Sequence, residues 1–99
     1  MAHWIYFLHV PREDFAATMT DEEREVWGEH LDWLQGLLEN GTLVLAGPTL
    51  GPINTGIGIF EAPDRAAAES IMNADPTIVR GFARGELREF RLTFLRGRD

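Results

Sequence analysis

The chain has 99 residues, 44% of them hydrophobic and 25% charged, and it contains no cysteine. That length suits one domain, residues 1–99, which buries roughly two-thirds of its unfolded surface around a single core. The missing cysteines exclude disulfide staples, a thiol nucleophile and thiolate metal sites. Nine basic residues, all arginine, oppose sixteen acidic ones for a net charge of −7. The excess lies in residues 1–50, which hold two basic and nine acidic side chains. A duplex-binding domain needs a basic stripe to displace counterions, so no nucleic-acid partner is expected. No apolar run nears the ~20 residues of a membrane helix, and the N-terminus lacks the basic flank and cleavage site of a signal peptide. The expectation is a soluble cytoplasmic protein with no membrane partner.

The first segment, Trp4-Ile5-Tyr6-Phe7-Leu8, is continuously apolar and reads as a strand covered on both faces. Pro11 to Ala17 reads as a connection. Thr20-Asp21-Glu22-Glu23 is a Thr-x-x-Glu capping box with three acids in the first helical turn. That helix runs to Glu39 and stops at Asn40-Gly41, where glycine takes a left-handed cap. Thr42 to Ala46 is a second strand ended by Gly47-Pro48, and the loop from Gly47 reaches Asn54. Thr55 to Glu61 alternates Gly56, Gly58 and Phe60 with Ile57 and Ile59, as a strand does.

Asp64 caps a short helix carrying Ala68, Ile71 and Met72, and Asp75-Pro76 ends it, because a residue before proline is driven from helical geometry. Leu87 to Leu95 is the last strand, with Phe90, Leu92 and Phe94 on its apolar face; residues 77–86 receive no assignment. The order β-α-β-β-α-β is the ferredoxin-like α+β arrangement, with a four-stranded antiparallel sheet. Two helices cover one face of such a sheet, yet the strands are apolar on both. A homodimer that buries the second face is the simplest solution, and sheets packed in this way form the dimeric α+β barrel.

One polar residue stands inside the apolar stripe of the first helix. At about 100° per residue, Val26, Trp27, Leu31, Trp33, Leu34, Leu37 and Leu38 span an arc of roughly 160°, with His30 inside it. A buried imidazole needs a partner, since leaving one polar group unpaired costs about 1–3 kcal/mol. Asp75, at the end of the second helix, is within reach if both helices pack side by side. A carboxylate on one ring nitrogen fixes the tautomer and leaves the other nitrogen to take a proton. The competing reading is a core histidine satisfied by a carbonyl, with Asp75 capping a turn.

The run Glu29-His30-Leu31, then Leu37-Leu38-Glu39-Asn40-Gly41, then Leu45-Ala46-Gly47-Pro48, followed by Ala74-Asp75-Pro76 and Gly81, resembles the YciI-like or YCII-related domain family. The likeness extends from Trp4 to Phe94. It implies a dimeric ferredoxin-like fold and an active site on the family's histidine and aspartate, at His30 and Asp75 by motif position. One branch of the family is associated with lyase-type dehydrochlorination of a hydroxylated aromatic. Two features depart from the pattern. Thr77 stands where an aromatic residue often follows the Asp-Pro pair, which alters the pocket wall, and the Pro11–Met19 connection is long, at the pocket entrance.

The functional expectation is a small cofactor-independent enzyme of lyase or isomerase type acting on a small organic substrate. His30 is its general acid/base and Asp75 orients the ring. Gly47 and Pro48 shape the pocket and, with Tyr6 and Trp27, contact the substrate, although Trp27 also suits a core role. The alternative is a non-catalytic dimeric module that binds a metabolite or a protein, the His-Asp pair being structural. No metal is expected, because His3, His9 and His30 are scattered and form no His-x-x-x-His pair. Gly56-x-Gly58 lacks the rest of a dinucleotide fingerprint and reads as close packing. Arg80, Arg84 and Arg88 read as a solvated face rather than an anion site.

Overall fold

The computed structural model describes residues 1–97. In chain order it has β1 (Ala2–His9), α1 (Phe15–Thr18), α2 (Asp21–Glu39), β2 (Leu43–Pro48), β3 (Gly56–Ala62), α3 (Arg65–Met72), α4 (Pro76–Val79) and β4 (Arg84–Phe90). The strands form one antiparallel sheet in the order β2-β3-β1-β4, which is the ferredoxin-like topology. Local chemistry places the long helix as the capping box predicts. The Thr20 hydroxyl accepts from the Glu23 amide at 3.1 Å, and the Glu23 carboxylate accepts from the Thr20 amide at 2.8 Å. Asp64 likewise caps α3 by accepting from the Ala67 amide at 2.9 Å.

Register sets which residues share a face. Trp4 lies opposite Phe60, Tyr6 opposite Gly58 and Leu87, and Leu8 opposite Gly56, and this face packs on α2 and α3. The core combines Trp4, Tyr6, Leu8, Leu43, Phe60 and Ala62 of the sheet with Ala68 and Met72 of α3. Half-buried Trp27, Trp33, Leu34 and Leu37 of α2 lie against it. On the opposite face Ile5 and Phe7 pair with Ile59 and Ile57, and Leu45 joins them from β2. His3 and Glu61 close one end of that face at 3.8 Å, and His9 meets Glu86 at 3.0 Å toward the other.

Gly58 is a packing requirement. A Cβ at this position would collide with Cδ1 and Cε1 of the Tyr6 ring, which lies directly over the glycine. Gly58→Ala is therefore expected to lower unfolding free energy by about 1–3 kcal/mol, the cost of overpacking a filled core, as read from a urea midpoint. An unchanged midpoint contradicts this packing.

Several boundaries differ from the sequence reading. The last strand is Arg84–Phe90, not Leu87–Leu95, because β1 supplies partners only from His9, opposite Arg84, to His3, opposite Phe90. Beyond that point Phe94 is 91% exposed and pairs with nothing in the sheet. β2 continues through Gly47 and Pro48 rather than ending there. It is an edge strand, where proline's missing N–H costs no ladder bond. The Pro11–Ala17 connection holds all but the last residue of the single-turn helix α1, with Phe15 buried.

The unassigned 77–86 stretch holds most of α4, a turn, and the start of β4. Asp75 does not end α3, which stops at Met72; it is the N-cap of α4. The inward arc of α2 is also narrower than its sequence suggests, since Leu31 and Leu38 are 62% and 50% exposed. Among the described residues no helix is long and apolar enough to cross a membrane.

Candidate active site

Three elements meet at Asp75. Pro76 occupies the first turn of α4, where its missing N–H is no loss, and Asp75 caps that turn by accepting from the Thr77 amide at 2.9 Å and its hydroxyl at 2.8 Å. The same oxygen, Oδ1, lies 2.9 Å from Nδ1 of His30, which α2 turns inward to pack against α4. Tyr6, at the centre of β1, donates its hydroxyl to Oδ2 at 3.1 Å. Asp75 is fully buried and His30 is 8% exposed.

A carboxylate has only acceptor sites, so four donors suit the ionised form of Asp75 and place the His30 proton on Nδ1. Burial, and then the neighbouring Asp75 charge and hydrogen bond, push the Tyr6 pKa far up, so the phenol stays protonated and remains a donor. Nε2 is the ring nitrogen left over. Among the described residues no solvent-sealed side-chain nitrogen or oxygen lacks a partner, and Nε2 makes no hydrogen bond, so the residual exposure of the ring includes this atom.

His30 faces a cavity of about 330 Å³ between α2 and the helix-covered side of the sheet. Tyr6, Leu8, Phe15, Trp27 and Leu34 line it, with Ala46, Gly47 and Pro48 along β2. Trp27 and Trp33 flank the imidazole, with ring centroids 6.1 Å and 6.2 Å away. Among the described residues no arginine, aspartate or glutamate lines the wall. Asn54 does, but its amide is engaged. Its Oδ1 accepts from the Ala16 amide, and its Nδ2 donates to the carbonyls of Thr49 and Gly51. Among the described residues Nε2 of His30 is thus the uncommitted polar side-chain atom of an apolar chamber.

The residues expected from the sequence to be catalytic or to contact substrate fall in two places. His30, Tyr6, Trp27, Gly47 and Pro48 line the cavity, and Asp75 stands behind His30. Thr77 does not form a pocket wall; it is fully buried and binds Asp75. The sequence reading missed the bond from Tyr6 to Asp75, although a phenol in an apolar strand needs a partner for its hydroxyl. It also missed Phe15 and Met19, which come from the connection after β1.

The remaining candidates lie elsewhere. Arg80 pairs with Glu29 at 2.9 Å and Arg88 with Glu86 at 2.9 Å, both at the surface. A second recess, of about 370 Å³, lies between His9–Pro11 and Gly81–Arg84 and contains none of the site residues. Among the described residues no three His, Asp or Glu side chains gather as metal ligands.

The connection after β1 is tied down at the start of α2. The Arg12 guanidinium forks onto both Glu23 oxygens at 2.8 Å and also binds the Thr18 hydroxyl and carbonyl. That fork, followed by the Thr20 amide, lowers the Glu23 pKa from 4.5 to about 2. A carboxylate whose folded pKa is depressed contributes stability above its unfolded value, and that contribution is lost as pH falls toward the folded one. The difference in unfolding midpoint between wild type and Glu23→Gln is therefore expected to be present at pH 6 and to vanish as pH falls from 4.5 toward about 2. A difference that persists at pH 2 contradicts the pairing.

A family model described as the YCII-related domain matches residues 4–91. No curated protein matches the chain. Among solved structures, the chain is similar to 5-chloro-2-hydroxyhydroquinone dehydrochlorinase (TftG) from Burkholderia phenoliruptrix AC1100, in complex with 2,5-dihydroxybenzoquinone. The TM-score is 0.67 at 20% identity, over 92% of this chain and 94% of that one. At that identity the likeness is one of fold.

Proposed function

The chain belongs to the YCII-related domain family, and on that premise we propose that it is a small-molecule enzyme of lyase or isomerase type working by general acid/base chemistry without a cofactor. One observation carries the reading: the free Nε2 of His30, whose other nitrogen is held by Asp75, opens on an apolar cavity of about 330 Å³. In this role Nε2 takes a proton from an acidic C–H or O–H of the substrate. The electron pair left behind forms a double bond, and it either expels a leaving group as its anion or is reprotonated at another carbon. Asp75 stays ionised and stabilises the imidazolium, as a buried carboxylate on a catalytic histidine does. Tyr6 on Oδ2 and Thr77 on Oδ1 hold Asp75 in place. Trp27, Gly47 and Pro48 contact the substrate.

The similar structure from Burkholderia phenoliruptrix AC1100 is that of a dehydrochlorinase, and elimination of chloride from a hydroxylated ring is a reaction of this class. The test is chloride release from 5-chloro-2-hydroxyhydroquinone and related halogenated hydroquinones. Turnover by wild type that is lost in folded His30→Gln supports the reading. Equal turnover by both contradicts it.

The working unit in this proposal is a homodimer. Half-buried Ile5, Phe7 and Ile57 and exposed Leu45 surround buried Ile59 on the sheet face without helices, and covering them removes apolar surface from water. Light scattering at micromolar concentration is expected to give about twice 11.2 kDa. A mass of 11.2 kDa rejects the dimer.

A further inference from the structure

The connection between β1 and α2 is a strap whose inner side forms part of the cavity wall. Val10, Phe15, Ala16 and Met19 all contribute to the wall. Phe15 is only 2% exposed although it belongs to a four-residue helix. Its ring packs on Trp27 with centroids 4.6 Å apart, and the Arg12 guanidinium covers it from outside at 5.1 Å. Trp27 stands between the rings of Phe15 and His30, 6.1 Å from the latter. A ligand whose polar group meets Nε2 therefore extends along Trp27 toward Phe15.

The strap is fastened at three points. Arg12 forks onto Glu23 at the capped start of α2. The Asp14 amide donates to the Pro52 carbonyl at 2.7 Å, with Asp14 in the left-handed region at φ 54°. The Ala16 amide donates to Asn54, which itself braces the 49–51 turn. The Asp14 conformation costs energy for a residue other than glycine and persists because these surroundings hold it.

From this geometry we infer that Phe15, held in place by the Arg12–Glu23 fork, is the specificity-determining end wall of the cavity and sets the length of ligand accepted there. The inference rests on the reading of the cavity as the substrate site. Among the described residues the wall carries no charged side chain other than the imidazole when protonated, so the ligands it sorts are uncharged, presenting a hydroxyl to Nε2 and apolar surface to the rest of the wall.

The experiment is calorimetric titration with 4-alkylphenols of increasing chain length. In wild type, affinity should climb by about fourfold per methylene while apolar space remains, and should fall at the first member that meets Phe15. In Phe15→Ala that member should bind at least about fourfold tighter than in wild type, while phenol itself binds equally. Phe15→Leu, which keeps an apolar plug and guards against loss of fold, should move the limit in the same direction by less. Arg12→Met removes the fork but not the plug, and should blur the limit by letting longer members bind.

A length limit unchanged in folded Phe15→Ala and Phe15→Leu overturns the inference and leaves the proposed function standing. Absence of binding by every phenol to wild type overturns the inference and the substrate-site reading together.

Discussion

His30→Gln is expected to cut turnover by about 10²–10⁴ while the chain stays folded. That range is about 2.7–5.5 kcal/mol of barrier, more than any other single change to the cavity wall should cost. Glutamine has roughly the bulk of histidine, and its amide N–H can still donate to Asp75. What it lacks is a nitrogen that takes a proton near neutral pH. The measurement is paired, with turnover and unfolding midpoint read on the same preparation. If His30 were only a structural partner of Asp75, activity would survive and stability would fall by about 1–3 kcal/mol, the cost of one poorly satisfied buried group. Normal turnover with a lowered midpoint therefore rejects the general-base role.

The second large effect belongs to Asp75 and is one of stability. Asp75→Ala removes the acceptor for four donors at once: the His30 ring, the Tyr6 hydroxyl, and the amide and hydroxyl of Thr77. The residue is fully buried, so water cannot replace the carboxylate without opening the core. Removing one side of a buried charged network typically costs about 3–5 kcal/mol. For a domain of this size each kcal/mol lowers the melting temperature by about 4–8 °C, so the drop should exceed about 12 °C. Asp75→Asn is a sharper control because it preserves shape. Its NH₂ group faces donors rather than acceptors, so it should recover only part of the loss. An Asp75→Ala variant that melts within about 4 °C of wild type contradicts the network.

Much of the local structure was legible in the residues themselves. Thr20 and Glu23 announce the start of α2 because a capping box acts across three residues. Asp64 announces α3 as a simple N-cap, its carboxylate accepting from the amide three residues on. The unbroken apolar run Trp4–Leu8 marks β1, and helical periodicity alone turns His30 inward. With these elements in place the ferredoxin-like order follows, because few topologies accept two crossovers on one sheet face.

The site was legible as far as its most constrained members. His30 is a polar residue in an apolar stripe, and Asp75 is the acid available across two helices. Their meeting depends on packing 45 residues apart in sequence, and the Tyr6 hydroxyl reaches Asp75 across 69. No local rule operates at that range. Asp75 looks from sequence like the end of one helix because proline breaks what precedes it. Only the fold reveals that the Asp-Pro-Thr run also begins another helix, whose cap orients the carboxylate.

The extent of β4 was likewise decided by its neighbour. Phe90, Leu92 and Phe94 alternate as a strand should, but a strand needs a partner, and β1 runs out at the register of Phe90. Phe15 sits in a connection that carries no periodic signal. It becomes a cavity wall because Arg12, Asp14 and Ala16 fasten that segment to α2 and to the 52–54 loop. Short-range patterns of capping and hydrophobic spacing thus determined the elements and the inward face of His30. The convergence of Tyr6, Thr77, Asp75 and Phe15 around it was decided by tertiary packing, because hydrogen bonds and contacts between distant segments exist only once the whole sheet is assembled.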